Sequence, residues 1–214
     1  MKTLFFLLSF VVASTALAET RYCDDIKRVV DTLPHLNSDQ FGRFIKDKKK
    51  VDRILVSKDR KDLYLIQDDV VLKTYKVAFG LQPNGHKQFE GDQKTPEGIY
   101  YIDSKNPQSA YYLSLHVSYP NKADTEYARS KGKSPGGNIM VHGFPNPDRP
   151  DFLRFVQGFH PYNWTAGCMA VTNEEIREIY SVVDVGTTIE ICKSSTQPPA
   201  QAPAPEAPAQ PKTP

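Results

Sequence analysis

From Val51 onward, short runs of apolar, β-branched and aromatic residues alternate with polar turns, which is the pattern of strands. Ile54-Leu55-Val56, Leu63-Tyr64-Leu65-Ile66 and Val70 to Phe79 are three such runs. Lys58-Asp59-Arg60 and Gln67-Asp68-Asp69 separate them, so three strands joined by short hairpins are predicted. The stretch Gly91 to Gly98 is a turn, in which Pro96 fixes φ and Gly98 permits a positive one. Strands resume at Ile99 to Ile102 and at Tyr112 to Tyr119. Gly136-Gly137 opens another over Asn138 to Val141, ending at His142. Thr172-Asn173-Glu174-Glu175 is a capping box that starts a helix running to about Val183, and Thr188 to Cys192 closes the pattern as a strand. Ahead of the strands, residues 22–47 space their apolar positions helically. Two short helices are predicted there, interrupted at Pro34, with Ser38 or Asp39 capping the second.

The two ends of the chain differ from this middle. Residues 1–18 have the form of an export signal: Lys2, an apolar run from Leu4 to Val12, and Ala16-Leu17-Ala18 as a small-residue cleavage site. That run is shorter than the roughly 20 residues a bilayer span needs. Stable membrane insertion after cleavage is therefore not expected, and the chain is placed in the periplasm or cell wall. From Lys193 to Pro214 the composition shifts to Pro, Ala, Gln, Ser and Thr with no apolar pattern, which predicts a disordered tail. The expected organisation is a signal over 1–18, a helical segment over 19–50, a domain over 51–192 that is mainly β with helical additions, and a tail over 193–214.

Charge narrows the partners. The net charge is +2, and the basic clusters at Lys48-Lys49-Lys50 and Lys58 to Lys61 are interleaved with Asp47, Asp52, Asp59 and Asp62. That is a solvated face, and no nucleic-acid partner is expected. Export gives the three cysteines meaning, because oxidising compartments pair thiols. Cys23 lies near the mature N-terminus and Cys192 at the end of the last strand. A Cys23–Cys192 bridge would staple the ends and leave Cys168 free; the alternative is three reduced thiols, with Cys168 a small core residue.

Candidate chemistry gathers at Trp164-Thr165-Ala166-Gly167-Cys168-Met169-Ala170, following Ile139-Met140-Val141-His142-Gly143 after a short insert. Cysteine acyl transfer needs a thiol beside small residues that let backbone N–H groups face an oxyanion, and an imidazole to move the proton. Cys168 and His142 are the candidate nucleophile and base. Gly167, Ala166 and Gly143 are candidate oxyanion or orienting residues, and Tyr119, Gly137, Trp164 and Thr165 candidate cleft residues. His160 competes as a base, but it sits in the polar insert Phe144 to Asn163, read either as a surface loop with a short helix or as a lid. No C-x-x-C, H-x-x-x-H or H-E-x-x-H spacing occurs, so neither a metal nor another cofactor is expected.

Four ordered motifs resemble the L,D-transpeptidase catalytic domain, or YkuD, family across roughly Val51 to Ile191. They are Lys94 to Tyr100 (KTPEGIY), Ser114 to Asn121 (SLHVSYPN), Ser134 to Gly143 (SPGGNIMVHG) and Trp164 to Asn173 (WTAGCMAVTN). The chain is most similar to the murein-processing branch with a long insert before the cysteine. It departs from the family pattern where Ala166 replaces a histidine and Ala170 an arginine or asparagine. The resemblance implies a β-sandwich of antiparallel strands with a short N-terminal helical segment, acting on peptidoglycan stem peptides. It implies a Cys168 thioester formed at the L-centre of diaminopimelate with loss of the terminal D-alanine. An amine acceptor, on a second stem or a protein lysine, would make a transpeptidase; water would make an L,D-carboxypeptidase, and attack on a protein–peptidoglycan amide an amidase. The non-enzymatic alternative is a secreted wall-binding module with Cys168 inert.

Overall fold

The computed structural model describes residues 22–148 and 162–194. The expected export signal, most of the expected tail and the segment 149–161, with His160 and the expected insert helix, lie outside the described residues.

A 3-10 turn (Tyr22–Asp25) leads into α1 (Ile26–Asp31), followed by α2 (Ser38–Lys46). Asn37 caps α2 in a reciprocal box with Gln40, one residue earlier than the sequence suggests. The strands are β1 (Arg53–Ser57), β2 (Asp62–Gln67), β3 (Val70–Lys76), β4 (Gly98–Ser109), β5 (Tyr112–Val117), β6 (Met140–His142), β7 (Met169–Ala170) and β8 (Thr188–Cys192). Two further helices, α3 (Lys122–Ser130) and α4 (Asn173–Val182), interrupt them. The β2–β3 turn has Asp68 and Asp69 both at positive φ (49° and 57°), the two-residue hairpin geometry that Asp tolerates better than most side chains.

All eight strands form one curled sheet in the order β3-β2-β1-β8-β4-β5-β6-β7. The mainly β architecture matches the expectation, but the sheet is mixed: β1 pairs parallel with β8 and β6 parallel with β7, the other pairings being antiparallel. Both parallel pairs join segments far apart in sequence, a relationship that local hairpin patterns do not reveal.

Strand β1 is buried along its whole length, and β2 nearly so, because apolar residues point to both faces and both faces are covered. On one side Ile54, Val56, Leu63 and Leu65 join Phe41 and Phe44 of α2 and Ile176, Ile179 and Val182 of α4 in the main core. On the other, Leu55, Tyr64, Ile66 and Val71 pack under Val29, Ile26 and Val30 of α1. Glu190 of β8 is fully buried; it accepts from Arg53 at 3.0 Å and from the Cys23 N–H at 3.1 Å. Cys23 and Cys192 are joined by a disulfide, with Cα atoms 5.1 Å apart. The N-terminal helical segment is thus one wall of the second core, bonded to the closing strand.

Candidate active site

Short strands β6 and β7 build the site. Their parallel register sets Val141 beside Met169 and His142 beside Ala170, so Cys168 falls one step ahead of β7 and level with Met140. Residues level with one another in a parallel pair share a face, which brings Cys168 and His142 to the same side. Opposite β6, Ala78 exchanges both backbone hydrogen bonds with Ala170, at 2.9 and 2.8 Å, so β7 is held from both edges.

The turn that delivers the thiol is locked from within. The Thr165 hydroxyl donates to the Cys168 carbonyl at 2.7 Å and accepts from the Gly167 N–H at 3.1 Å. Gly167 has φ +138°, and a Cβ there would lie 2.6 Å from the Lys94 carbonyl oxygen, so both conformation and space require glycine. The half-buried Cys168 thiol donates to the Asn138 carbonyl oxygen, Sγ···O 3.4 Å. Burial pushes its pKa up, while the Met140 backbone and the Lys87 charge pull the other way.

His142 is 4% exposed, with Tyr111 at 4.6 Å and Trp164, edge-on, at 5.6 Å between ring centroids. Its Nδ1 lies 2.7 Å from the Gly143 carbonyl oxygen. A carbonyl only accepts, so Nδ1 carries the proton of the neutral ring and Nε2 keeps the lone pair. Desolvation lowers the imidazole to about 4, outweighing the Gly143 bond, so the ring is neutral near pH 7. A neutral imidazole with a defined tautomer can take a proton from a neutral thiol.

The other candidates separate into supports and wall residues. Gly143 orients His142 through its carbonyl, but its N–H is committed to the Tyr111 and Leu113 carbonyls at 3.1 and 3.3 Å. A Cβ on Gly143 would come within 2.5 Å of Asn173 Oδ1, so the start of α4 fixes the position of that carbonyl. With the Gly167 N–H engaged by Thr165, the oxyanion candidates narrow to the N–H groups of Cys168 and the exposed Ala166. Tyr119 and Thr165, expected in the cleft, are buried instead. The Tyr119 hydroxyl donates to the Pro135 carbonyl and its ring packs on Tyr100, because a tyrosine between β5 and α3 faces the core. Gly137 lies on the half-buried stretch leading to Asn138, and Trp164 is half-buried beside His142.

Tyr111, Asn138 and Asn173 were not legible as site residues. Tyr111 reaches His142 because the β4–β5 hairpin tip folds over it, and no local motif marks that approach. Asn138, at φ +55°, follows a Gly-Gly pair that did signal a tight path. Among the described residues no three His, Cys, Asp or Glu side chains are grouped to hold a metal ion.

The L,D-transpeptidase catalytic domain family, YkuD, matches residues 51–191. YafK of Escherichia coli strain K12, whose name places it among the L,D-transpeptidases, is 31% identical over 126 residues, which cover 57% of this chain and 42% of YafK. Among solved structures, a point mutant of the helical cell shape determining protein Pgp2 from Campylobacter jejuni is 28% identical with a TM-score of 0.48, covering 74% of this chain and 56% of that one. Bd1075 of Bdellovibrio bacteriovorus is 24% identical with a TM-score of 0.44, covering 68% of this chain and 49% of that one. The chain therefore spans only about half the length of these relatives. With the match running from the strand that opens the sheet to the strand that closes it, this chain belongs to the L,D-transpeptidase catalytic domain family.

Proposed function

We propose that the protein is an acyltransferase of peptidoglycan stem peptides, with Cys168 as nucleophile and His142 as general base. The observation that supports the reading is the β6–β7 register, which puts Cys168 and His142 on one side of the sheet, with the His142 Nδ1 held by the Gly143 carbonyl. Sγ attacks the carbonyl of the third stem residue, read from the family as the L-centre of diaminopimelate, and its proton passes to His142 Nε2. The oxyanion faces the N–H groups of Cys168 and Ala166. The bond to the terminal D-alanine breaks, the leaving nitrogen takes the proton from Nε2, and a thioester remains on Sγ.

The second half-reaction runs the same path backwards. An amine attacks the thioester, a new amide forms, and the amine's proton returns through His142 to sulfur. Water in the same place gives a free tripeptide. The low pKa of His142 and the raised pKa of Cys168 favour proton transfer during attack over a pre-formed thiolate–imidazolium pair. A wall-binding module would need neither the fixed tautomer nor the locked turn. Residues 1–18 support action outside the cytoplasm.

The test is to incubate the purified protein with tetrapeptide muropeptides, with and without a free D-amino acid, and to resolve the products by mass spectrometry. Release of D-alanine with dimers or D-amino-acid exchange is expected; tripeptides alone would make the enzyme a carboxypeptidase. Absence of any D-alanine release would remove stem tetrapeptides as the substrate.

A further inference from the structure

The wall facing the thiol turn is folded around a buried ion pair that no sequence motif marks. Lys87 is 4% exposed, and its Nζ donates to Asp92 Oδ1 at 2.8 Å and to the Phe89 carbonyl at 3.0 Å. Asp92 in turn accepts the backbone N–H groups of Gln88, Phe89 and Lys94, at 2.7, 3.0 and 3.1 Å. One carboxylate thus gathers residues 87–94 into a compact loop. Four charge-assisted bonds to a single side chain are strong because the surroundings are partly dry.

That loop presses on both backbone segments that define the thiol's surroundings. The Lys94 carbonyl oxygen would be 2.6 Å from a Cβ on Gly167, and the Gln93 carbonyl oxygen 2.1 Å from a Cβ on Gly80. The Glu90 N–H donates to the Ser134 carbonyl at 2.8 Å, and the Glu90 Cα would be 3.1 Å from a Cβ on Gly136. Gly136 is two residues from Asn138, whose carbonyl accepts the hydrogen bond of the Cys168 thiol. The loop therefore touches the residue before the nucleophile and the strand entry that holds the nucleophile's hydrogen-bond partner.

We propose that Lys87, clamped by Asp92, is a positioning residue for Cys168: it folds the wall that meets the thiol turn and sets its buried charge in the loop that packs against both backbone segments flanking the sulfur. The proposal deepens the reading of Cys168 as nucleophile. Its cation opposes the burial that keeps the thiol protonated, so the charge makes the sulfur easier to ionise as attack proceeds. The charged and titratable groups on the elements that flank the thiol turn include His142 on β6 and Lys87, Glu90, Asp92 and Lys94 on the wall. His142 is neutral over the pH range in which the thiol ionises, and Asp92 is ionised, its pKa lowered by the bonds from Lys87 and three backbone N–H groups. Lys87 is the buried cation among them.

The pH dependence of Cys168 alkylation by iodoacetamide tests this in the full chain, where the disulfide leaves one free thiol. Lys87→Gln keeps a donor for Asp92 but removes the charge. Its midpoint should rise by about half a pH unit or more, slowing alkylation about threefold below the midpoint. Lys87→Arg should stay near the parent. Asp92→Asn removes the counter-charge and should move the midpoint the other way. A folded Lys87→Gln protein with an unshifted profile overturns the proposal, as do shifts of the same sign in Lys87→Gln and Asp92→Asn. If Lys87→Gln does not fold, Asp92→Asn decides alone: a downward shift supports the role, and none or an upward one overturns it. Alkylation needs no substrate, so these outcomes are independent of whether muropeptides are turned over.

Discussion

His142→Gln is expected to lower D-alanine release from a tetrapeptide stem by about a thousandfold, within the range that a positioned general base contributes. Glutamine can still donate to the Gly143 carbonyl and sit between Tyr111 and Trp164, so packing survives while the Nε2 lone pair is lost. The pH profile of the parent protein should carry the same signature. An ordinary histidine would give a rate rising through pH 6–7; one lowered to about 4 by burial gives a rate that rises near pH 4 and is level across neutrality. Stability follows the same linkage. The folded pKa lies below the unfolded value, so the unfolded chain binds the extra proton first, and the contribution of neutral His142 is lost as pH falls from about 6.5 towards 4. Steady-state kinetics and thermal melts between pH 4 and 8 check both. A rate limb at pH 6–7 that moves with His142 would refute the buried, neutral base.

Removing the Cys23–Cys192 bridge should cost stability and spare chemistry. The bridge spans a sequence separation of 169 residues, and loss of a native disulfide from a small exported domain typically costs about 2–5 kcal/mol. Cys23→Ala with Cys192→Ala frees the 3-10 turn from β8 and loosens Val29, Ile26 and Val30 over Leu55 and Ile66. It also loosens the Cys23 N–H that donates to buried Glu190, which Arg53 also contacts. None of these groups belongs to β6 or β7. Melting should therefore fall by about 10 °C or more, given the usual several degrees per kcal/mol for a domain of this size, while kcat below the transition stays near the parent value. A matching loss of kcat at low temperature would mean that the second core is coupled to the site.

These effects trace back to what local sequence does and does not encode. Strands β1 to β3 were legible because Ile54 to Val56 and Leu63 to Ile66 are dense in β-branched and aromatic residues between polar turns. The α4 start was legible because Thr172 and Glu175 form a reciprocal cap within four residues. Helix α3 carries the same kind of cap at Asn121 and Asp124, but its body, KADTEYARS, is too polar to register as an amphipathic helix. Strand β4 runs on through Pro107 because register shifts there absorb a residue that cannot donate to the ladder. Cys168 and His142 stood out by residue type and spacing. Their surroundings did not: Tyr111 meets His142, and the loop that Lys87 and Asp92 hold together packs against Gly167, through connections whose placement depends on the whole sheet. Tyr119 and Thr165 went the other way, since an aromatic or hydroxyl beside a motif gives no sign of whether it faces a cleft or the core.

Trapping the acyl group on Cys168 separates this chemistry from any other use of the thiol. The protein is mixed with a tetrapeptide stem, quenched in acid within the first turnovers, digested and mapped by mass spectrometry. A peptide containing Cys168 should be heavier by the tripeptidyl group left after loss of D-alanine, labile to hydroxylamine and absent from Cys168→Ser. D-alanine release by Cys168→Ser at the parent rate, or an acyl group mapped to any other residue, would contradict Cys168 as the nucleophile.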